Sequence, residues 1–501
     1  VVAPTPTPLG WRSLEAAYYA QDVIKLRPNL EVRLAFRAES TNGWNEQGGR
    51  ASNYDFTDGV IDSTPTVGNS LLAVNNAKFL PEPRVGISWS PFGSHKTVVD
   101  GGFGVYDALL DNLSYRADQN GPYNTVYTIK SKPLSSDTPI MPGGALPAGA
   151  LISPSGVQPN LLTPTVESYS LKIEQQLSLS TSLSVGYVGS HGYHELLSID
   201  ANVPVPVFCP DSAVAACASL PAGTEYIAAG SPLANSAVAN TTSWFSEGDS
   251  SYNALQVDLR RNFSHGLQFR GVYTYSKSED DGDTVNTSIS TSSPAFTANP
   301  LDPSADWSRS TFDATHSAVL NGTWALPFKH AAGAADAAHA LLDRLAEDWS
   351  ASGILTIQSG FPFTPQLGYN PTNDGDTRNP VRSNINPSFS GSKILGEPNE
   401  YFNPAAYSAP VAGTYGDAGR DSLTGPGLTS LDFSIDRKFP IKERLALQFR
   451  AEFFNILNHA NFNEPNPVIF TSATALSPTA GVISSTTTTS RQIQFGLKLL
   501  W

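Results

Sequence analysis

The 501-residue chain lacks any run of about 18 apolar residues, which is close to the minimum for a transmembrane helix. Positive charge is also scarce, because 31 Lys and Arg stand against 45 Asp and Glu, giving a formal net charge of -14. Phosphate binding needs clustered Lys and Arg, so this balance argues against nucleic acid as a partner.

Cysteine is nearly absent, with two residues in one segment, Cys209 and Cys217 of FCPDSAVAAC. Two cysteines so close in sequence, with none elsewhere, favour a local disulfide formed in an oxidising compartment. Two unpaired thiols are the alternative. No metal-ligand pattern surrounds them, and we predict neither a metal site nor a cofactor.

Glycine, proline and aromatic residues are abundant, at 40 Gly, 38 Pro and 10% aromatic, which is typical of an all-β protein with many turns. The last twelve residues, SRQIQFGLKLLW, place an apolar side chain at every second position from Ile493 to Trp501. This period of two predicts a strand with one apolar and one polar face. Similar segments predict about 13 strands, at residues 14–27, 30–39, 84–90, 97–106, 169–177, 183–187, 255–260, 267–275, 313–326, 349–361, 431–439, 444–453 and 490–501.

Tight turns and long connections alternate between these strands. The tight turns are predicted at 27–29, 91–96, 178–181, 263–266 and 439–443, and the long connections at 40–82, 108–164, 197–250, 279–312, 363–427 and 458–489. The connection at 327–348 takes a short position but is Ala-rich, and we predict an inserted surface helix there. Short periplasmic turns and long outer loops are typical of a membrane barrel. We therefore predict an antiparallel transmembrane β-barrel.

The polar strand faces contain charges of both signs, which would be costly in a dry core but acceptable in a wet or plugged channel. They are Arg33, Arg37, Lys172, Glu174, Asp258, Arg260, Arg270, Arg450, Glu452 and Lys498. The alternative is the solvated face of a soluble sheet.

Aromatic residues near strand ends predict the two interfacial girdles of a membrane barrel, and the examples are Trp89, Tyr187, Tyr273, Tyr275, Trp324 and Trp349. Ordinary β-propensity would instead scatter them along the strands.

Four long segments, at 83–108, 168–200, 251–281 and 432–466, together with the closing strand, carry a resemblance to a known family. The most specific phrase is FNILNHANF at 454–462, followed by the terminal aromatic strand. From about Trp11 to Trp501 the chain resembles Oar-like TonB-dependent outer-membrane receptors of Gram-negative bacteria.

This resemblance implies a plugged barrel of about 22 strands, preceded by a carboxypeptidase-regulatory-like domain and the plug. We therefore expect residues 1–501 to be the C-terminal portion of the barrel, with that domain, the plug and about nine strands upstream of Val1. The alternative is that these strands close among themselves into a smaller barrel. The TonB complex would act through the upstream part, and the partners would be outer-membrane lipid and an unknown small ligand or peptide. The resemblance also implies that the last strand is the signal read by the barrel-assembly machinery, through Phe495, Leu497, Leu499 and Trp501.

Candidate sites for chemistry are weak. The acidic stretch with Glu279, Asp280, Asp281 and Asp283, and the pair Asp374 and Asp376, offer oxygen ligands for calcium, but neither matches a complete calcium loop. His191 and His194 lack a third ligand, and we interpret them as loop histidines. Gly101, Gly102 and Gly104 do not form a dinucleotide fingerprint, and they favour close backbone approach instead.

No nucleophile, paired carboxylates or phosphate loop stands out, so we predict a protein that is not an enzyme. Our first hypothesis is a receptor that takes up a scarce ligand across the outer membrane, with the loops at 197–250 and 363–427 facing the ligand. The second is a passive or structural outer-membrane barrel that presents surface loops for adhesion or matrix. The third is a soluble, secreted all-β binding protein.

Overall fold

The protein is described by a computed structural model over residues 7–43, 45–93, 96–110, 118–128, 149–285, 295–327, 347–378, 381–442 and 445–501. Thirteen strands follow one another along the path of a single large sheet. They are β1 (Glu15–Arg27), β2 (Leu30–Thr41), β3 (Leu80–Trp89), β4 (Thr97–Asp107), β5 (Thr165–Gln176), β6 (Thr181–Ile199), β7 (Thr242–Ser264), β8 (Leu267–Asp280), β9 (His316–Ala325), β10 (Trp349–Gln358), β11 (Leu428–Lys442), β12 (Leu445–Phe454) and β13 (Gln492–Leu500).

Each strand of this path pairs antiparallel with the strand before it and the strand after it in the chain. Within the described residues, β1 is hydrogen-bonded only to β2 at one edge of the path, and β13 only to β12 at the other. This nearest-neighbour meander confirms the predicted antiparallel all-β architecture. Such a topology follows from strands joined in sequence by hairpins, since consecutive elements usually lie side by side.

Two kinds of connection join the strands, as the sequence predicts. Short ones occupy 28–29, 90–96, 177–180, 265–266 and 443–444, and the longer connection at 326–348 takes a short position in the alternation. Long ones, which we name L1 to L6, occupy 42–79, 108–164, 200–241, 281–315, 359–427 and 455–491. Because antiparallel strands alternate in direction, all short connections lie at one end of the sheet and L1 to L6 lie at the other. The predicted helix between β9 and β10 falls mainly on 328–346, outside the described residues.

The register separates an apolar face from a polar face. One row across the apolar face runs from Leu171 through Tyr187, Leu255 and Tyr275 to His316. One position further along the strands, the row belongs to the polar face, where Lys172 pairs with Gly186 and Gly186 with Gln256. Period-two alternation therefore extends across strands as well as along them, as pleated pairing requires.

Several predicted boundaries are wrong, and the largest differences are in β6 and β7. The alternation predicts strands at 183–187 and 255–260, whereas β6 has 19 residues and β7 has 23. Their ends beyond His191 and Ser251 are rich in polar residues and lack alternation, but they pair with each other across two register shifts. The turn predicted at 439–443 is also wrong, because Pro440 pairs with Ala446 and β11 continues to Lys442.

The loops have cores of their own. The first loop core joins L5 and L6 and contains Phe363, Tyr401, Phe402, Ala406, Tyr407, Ala418, Leu423, Ile469 and Ala480. The second joins L1, L2 and β7 through Ala51, Leu71, Val157, Leu161 and Trp244. The third joins L1 and L3 through Tyr54, Ile61 and Val238. Burial of these side chains stabilises L1, L2, L3, L5 and L6 as packed structure rather than as separate flexible loops.

No helix among the described residues has the length and apolar character needed to cross a membrane.

Candidate functional site: the polar sheet face and the long-loop cap

The polar sheet face carries ion pairs between neighbouring strands. Lys172 Nζ lies 3.3 Å from Asp100 Oδ2 and 3.8 Å from Glu174 Oε2, and Ser88 donates to Asp100 at 2.8 Å. Arg270 binds Asp258 through two nitrogens, with Nη2 2.7 Å and Nε 3.1 Å from the carboxylate. These charges compensate one another, which fits a polar wall facing water or another polar surface.

A second group of charges lies on this face near the long-loop end. Glu82 is buried and forms ion pairs with Arg84 and Arg37. The Arg37 Nε lies 3.6 Å from the Glu82 Oε2. Arg37 also pairs with Glu39, and the Arg84 guanidinium stacks 4.2 Å above the ring of Tyr106. A buried carboxylate with two arginines is held in place by charge and hydrogen bonds together.

A cavity of about 540 Å³ lies against the same face. Its lining includes Arg260, Arg270, Asn321, Asp432, Arg450 and Glu452. These side chains come from five strands, and Ser352 of β10 adds a sixth. The lining therefore spans six successive strands, β7 to β12, so the sheet must curve around the cavity. Cations and carboxylates alternate on its wall, and this arrangement suits a polar filling rather than an apolar ligand.

The apolar face has aromatic residues at two levels. Trp324 pairs with Leu267 at the short-turn end of β8, and Tyr275 lies in register with His316 at the other end. Tyr273 also contacts His316, whose Nδ1 is 2.8 Å from the tyrosine oxygen. Eight residues separate Leu267 from Tyr275, which corresponds to about 26 Å of strand. At the strand tilt of about 35–45° found in membrane barrels, this length spans about 20 Å along the membrane normal, which is comparable to the apolar band of about 25 Å between the aromatic girdles.

The long loops form what we call the cap, which is fastened by buried ion pairs that the sequence patterns did not reveal. Arg420 of L5 contacts Asp280 at the end of β8, Asp283 of L4 at 2.8 Å and Asp421 at 3.6 Å. Arg382 of L5 lies 3.3 Å from Asp306 of L4. Both guanidiniums are almost fully buried. Apart from the adjacent Asp421, the partners are more than 70 residues away in sequence, so no local motif marks them.

These contacts decide how the acidic stretch is used. Asp280 and Asp283 both pair with Arg420, and Glu279 pairs with Lys277 at 2.6 Å. Asp281 accepts the Asp249 N–H at 3.0 Å, and burial raises the pKa of Asp281 to about 7. The acidic residues are therefore bound within the cap rather than arranged around an open calcium position.

The second calcium candidate is likewise engaged. Asp376 binds the Arg378 guanidinium at 2.7 Å, and Asp374 accepts from Asn370 at 3.0 Å. Arg378 reaches further to Asp200 of L3, at 3.6 Å. Over the described ranges, no group of three or more His, Cys, Asp and Glu side chains could hold a metal ion.

His191 and His194 lie inside β6 and not in a loop, which corrects the sequence interpretation. Their rings flank Tyr193, with centroids 5.9 Å and 4.9 Å away.

Near the glycines of β4, a Cβ on Gly101 would come 3.1 Å from Ile87 Cγ2. The neighbouring strand side chain thus packs directly on the glycine backbone.

The cysteines form a disulfide between Cys209 and Cys217, with Cα atoms 5.1 Å apart, and both are buried in L3.

In the last strand, Phe495, Leu497 and Leu499 follow one face, and Trp501 is 92% exposed. Phe495 stacks on Phe449 of β12, with ring centroids 6.3 Å apart. The apolar face of β13 is thus continuous with that of its neighbour.

Comparisons with known proteins give one family match. Residues 2–494 match the model of the outer membrane beta barrel domain. No curated relative matches the chain.

Among solved structures, similarity is found to the siderophore receptor PirA from Pseudomonas aeruginosa, with 11% identity, 89% of this chain and 46% of that chain covered, and a TM-score of 0.36. A mutant of the ferric enterobactin receptor PfeA from the same organism is 12% identical. The match covers 97% of this chain and 44% of that chain, with a TM-score of 0.44. The ferric citrate transporter FecA in its unliganded form is 9% identical. The match covers 99% of this chain and 46% of that chain, with a TM-score of 0.43. The chain thus spans less than half the length of each of these three structures.

The family match covers nearly the whole chain, and the fold beneath it is the antiparallel sheet with segregated turns and loops described above. The apolar face therefore meets lipid, the polar face lines the lumen, and the cap lies outside the cell. The chain belongs to the outer membrane beta-barrel domain family and is a protein of the outer membrane.

Proposed function

We propose that residues 1–501 are the C-terminal barrel portion of a TonB-dependent receptor that takes up a scarce ligand across the outer membrane. The observation that carries the proposal is the resemblance to Oar-like receptors, whose phrases run in order from about Trp11 to Trp501. In this function the ligand binds the cap and plug, and an inner-membrane motor pulls on the plug through TonB. The process requires binding and movement, and no covalent chemistry.

The structure of the cap supports a binding role. L1, L2, L3, L5 and L6 contribute to three apolar cores, and Arg420 joins L5 to L4. Loops that are packed in this way present fixed side chains to the exterior, which reduces the entropy lost when a ligand binds. A simple diffusion pore has no need for such a cap.

The lumen wall supports a plugged barrel. Its ion pairs, such as Asp258 with Arg270, hold charged side chains in defined positions on the polar face. A folded plug can make polar contacts with this wall and still slide out when pulled, because exposed polar contacts are individually weak. The TonB complex, the plug and the upstream domain are therefore partners that this function requires.

The second candidate is a passive or structural barrel that presents its cap for adhesion or matrix. The packed cap favours it too, since a fixed outer surface suits attachment as well as ligand capture. The two candidates differ in the plug and in TonB contact. A structural barrel requires neither.

The test uses the full-length gene product. The purified protein is reconstituted into liposomes for a solute-influx assay, and its binding to the periplasmic domain of TonB is measured by surface plasmon resonance. We expect no detectable influx and saturable TonB binding. Free influx without TonB binding would establish a passive pore, whereas a closed barrel without TonB binding would establish the structural alternative.

A further inference from the structure

A cavity of about 870 Å³ opens among four loops of the cap, L1 to L4. This volume is within the range of small-molecule sites. It is separate from the lumen cavity, because the two share no lining residue. Its walls have an unusual combination of aromatic and carboxylate side chains.

One wall is a hairpin of L1. Asp58 and Gly59 have φ of 51° and 78°, and they connect Thr57 to Val60, which are paired. Two central residues with positive φ form the type I′ turn that suits a tight hairpin, and Asp-Gly is a favoured sequence for it. The turn fixes Phe56 and Asp58 at the cavity, where both are lining residues.

The facing wall is the end of β7. Trp244 and Ser246 are buried on one side of this strand, Trp244 in the second loop core. Because side chains alternate along a strand, Phe245 and Glu247 face the other way, and both line the cavity. Phe245 meets Phe56 edge to face, with ring centroids 5.7 Å apart. The aromatic pair joins the two walls.

The remaining lining is apolar and open to solvent. Val205 is 72% exposed and Leu301 is 48% exposed, although both line the cavity. An apolar body of a ligand would cover these side chains and remove their surface from water.

The charged lining is of one sign. Asp55, Asp58, Asp200 and Glu247 are lining residues, and the described lining contains no Lys, Arg or His. Asp200 is already bound by the Thr241 N–H at 2.8 Å and by Arg378 at 3.6 Å. Asp58 and Glu247 are exposed, and their carboxylates are free to meet a ligand. A cleft lined by one sign of charge concentrates ions of the opposite sign and repels ions of its own.

We propose that this cavity binds the ligand of the receptor, and that the ligand is a small amphipathic cation: an apolar body carrying a protonated amine. The body packs on Phe56, Phe245 and Val205, and the amine lies at Asp58 and Glu247. The inference rests on the proposed receptor function and adds a substrate class to it. The same charges disfavour anionic ligands, including anionic metal chelates.

The test uses two fluorescent probes with the same dansyl body and similar length. Dansylcadaverine carries a primary ammonium, and dansyl-6-aminohexanoic acid carries a carboxylate. Binding to the full-length protein in lipid nanodiscs is measured by fluorescence titration, with empty nanodiscs subtracted. We expect the cation to bind about tenfold more tightly than the anion at low salt, and the preference to shrink as salt is added.

Variants locate the site. The double variant Asp58→Asn/Glu247→Gln should reduce the preference for the cation to about threefold or less, and Val205→Arg should weaken cation binding about tenfold or more. The control Glu397→Gln/Glu400→Gln removes two carboxylates of L5 that do not line the cavity, and it should leave both affinities unchanged.

Equal or stronger binding of the anion would overturn the proposal, as would a control that lowers the cation preference as much as the cavity variant. The titration needs neither TonB nor energy. A protein that binds the cation at this cavity but fails to bind TonB would contradict the receptor function and retain the site. One that binds TonB but not the cation would contradict the ligand class alone.

Discussion

Arg420 Nη1 donates to Asp283 Oδ2 at 2.8 Å, which ties L5 to L4 inside the cap. The same guanidinium donates from Nε to the backbone carbonyl of Asp306 at 2.8 Å. One side chain therefore satisfies acidic groups and a carbonyl from a loop about 110 residues away in the chain. A hub of this kind makes the two loops a single unit.

We expect Arg420→Met to separate these loops. The change leaves Asp280, Asp283 and Asp421 without their shared cation, and removing one partner of a buried ion pair costs about 3–5 kcal/mol. Limited proteolysis of the folded protein should then cut L4 and L5, while the barrel keeps its heat-modifiable gel mobility. Lys393→Met removes an exposed cation from the same loop and should change neither property. Unaltered protease resistance in Arg420→Met would contradict the hub.

The cap should be most stable in mild acid. Burial raises the pKa of Asp421 to about 7, above the ordinary value near 3.9, so the folded cap binds this proton more tightly than the unfolded chain does. Its stability therefore falls as pH rises from about 4 to about 7. The Arg50 hydrogen bond lowers the pKa of Glu46 to about 2, and that contribution is lost as pH falls below about 4.5. Because the first contribution falls above about pH 4 and the second is lost below about pH 4.5, we expect an optimum near pH 4.

Hydrogen exchange checks this pH dependence. After correction for intrinsic rates, amides of L4 and L5 should be better protected at about pH 5 than at about pH 8. Asp421→Asn keeps the shape but does not titrate, so it should reduce the difference. Equal protection at both pH values in the unmodified protein would rule out the titration of buried carboxyls as a factor in cap stability.

Trp244→Ala should destabilise the cap without unfolding the barrel. The indole is fully buried in the second loop core, and its Nε1 donates to the Val285 carbonyl at 3.1 Å. Removing a large buried aromatic side chain costs about 3–5 kcal/mol. Thermal denaturation followed by tryptophan fluorescence should show an earlier cap transition. Trp307→Ala, at a tryptophan that is 42% exposed, should shift it by much less, and equal shifts would argue against the packed core.

Removal of the disulfide should loosen L3 locally. Cys209 and Cys217 are eight positions apart, and closing so short a loop restricts the unfolded chain by about 2–3 kcal/mol in the chain-entropy model. The variant Cys209→Ser/Cys217→Ser should be cut within L3 at lower protease concentrations than the parent protein. Reduction of the parent with dithiothreitol should reproduce the effect. If dithiothreitol also makes the protease cut the doubly substituted variant faster, the reagent acts elsewhere in the protein.

The last strand should be required for assembly. Trp501 and Phe495 extend from the apolar face of β13, and we predict that the assembly machinery recognises them. Trp501→Ala and Phe495→Ala should each lower the heat-modifiable fraction of newly made protein severalfold in cells. Leu500→Ala alters the opposite strand face and serves as the control. If all three variants assemble equally well, the terminal aromatic strand is not the signal.

The sequence predicts the sheet well because alternation is a local property. Segments such as the one ending at Trp501 show their strand directly, and the segregation of turns and loops follows from their lengths. The extension of β6 beyond His191 is not predictable in this way, since its pairing with β7 depends on a partner about 50 residues away. The contact of Arg420 with Asp283 spans 137 residues, and only the folded cap shows it. By contrast, Asp58-Gly59 is a local turn signal that could have located the cavity hairpin.

The length of β7 sets how far the protein extends from the cell. The outer aromatic band passes through Leu255, in register with Tyr187 and Tyr275. From there the strand continues to Thr242, which is up to about 43 Å of extended chain. At the strand tilt of about 35–45° found in membrane barrels, the paired strands β6 and β7 rise about 30 Å above this row, away from the membrane. Phages, antibodies and neighbouring cells would meet them there, before they reach the bilayer.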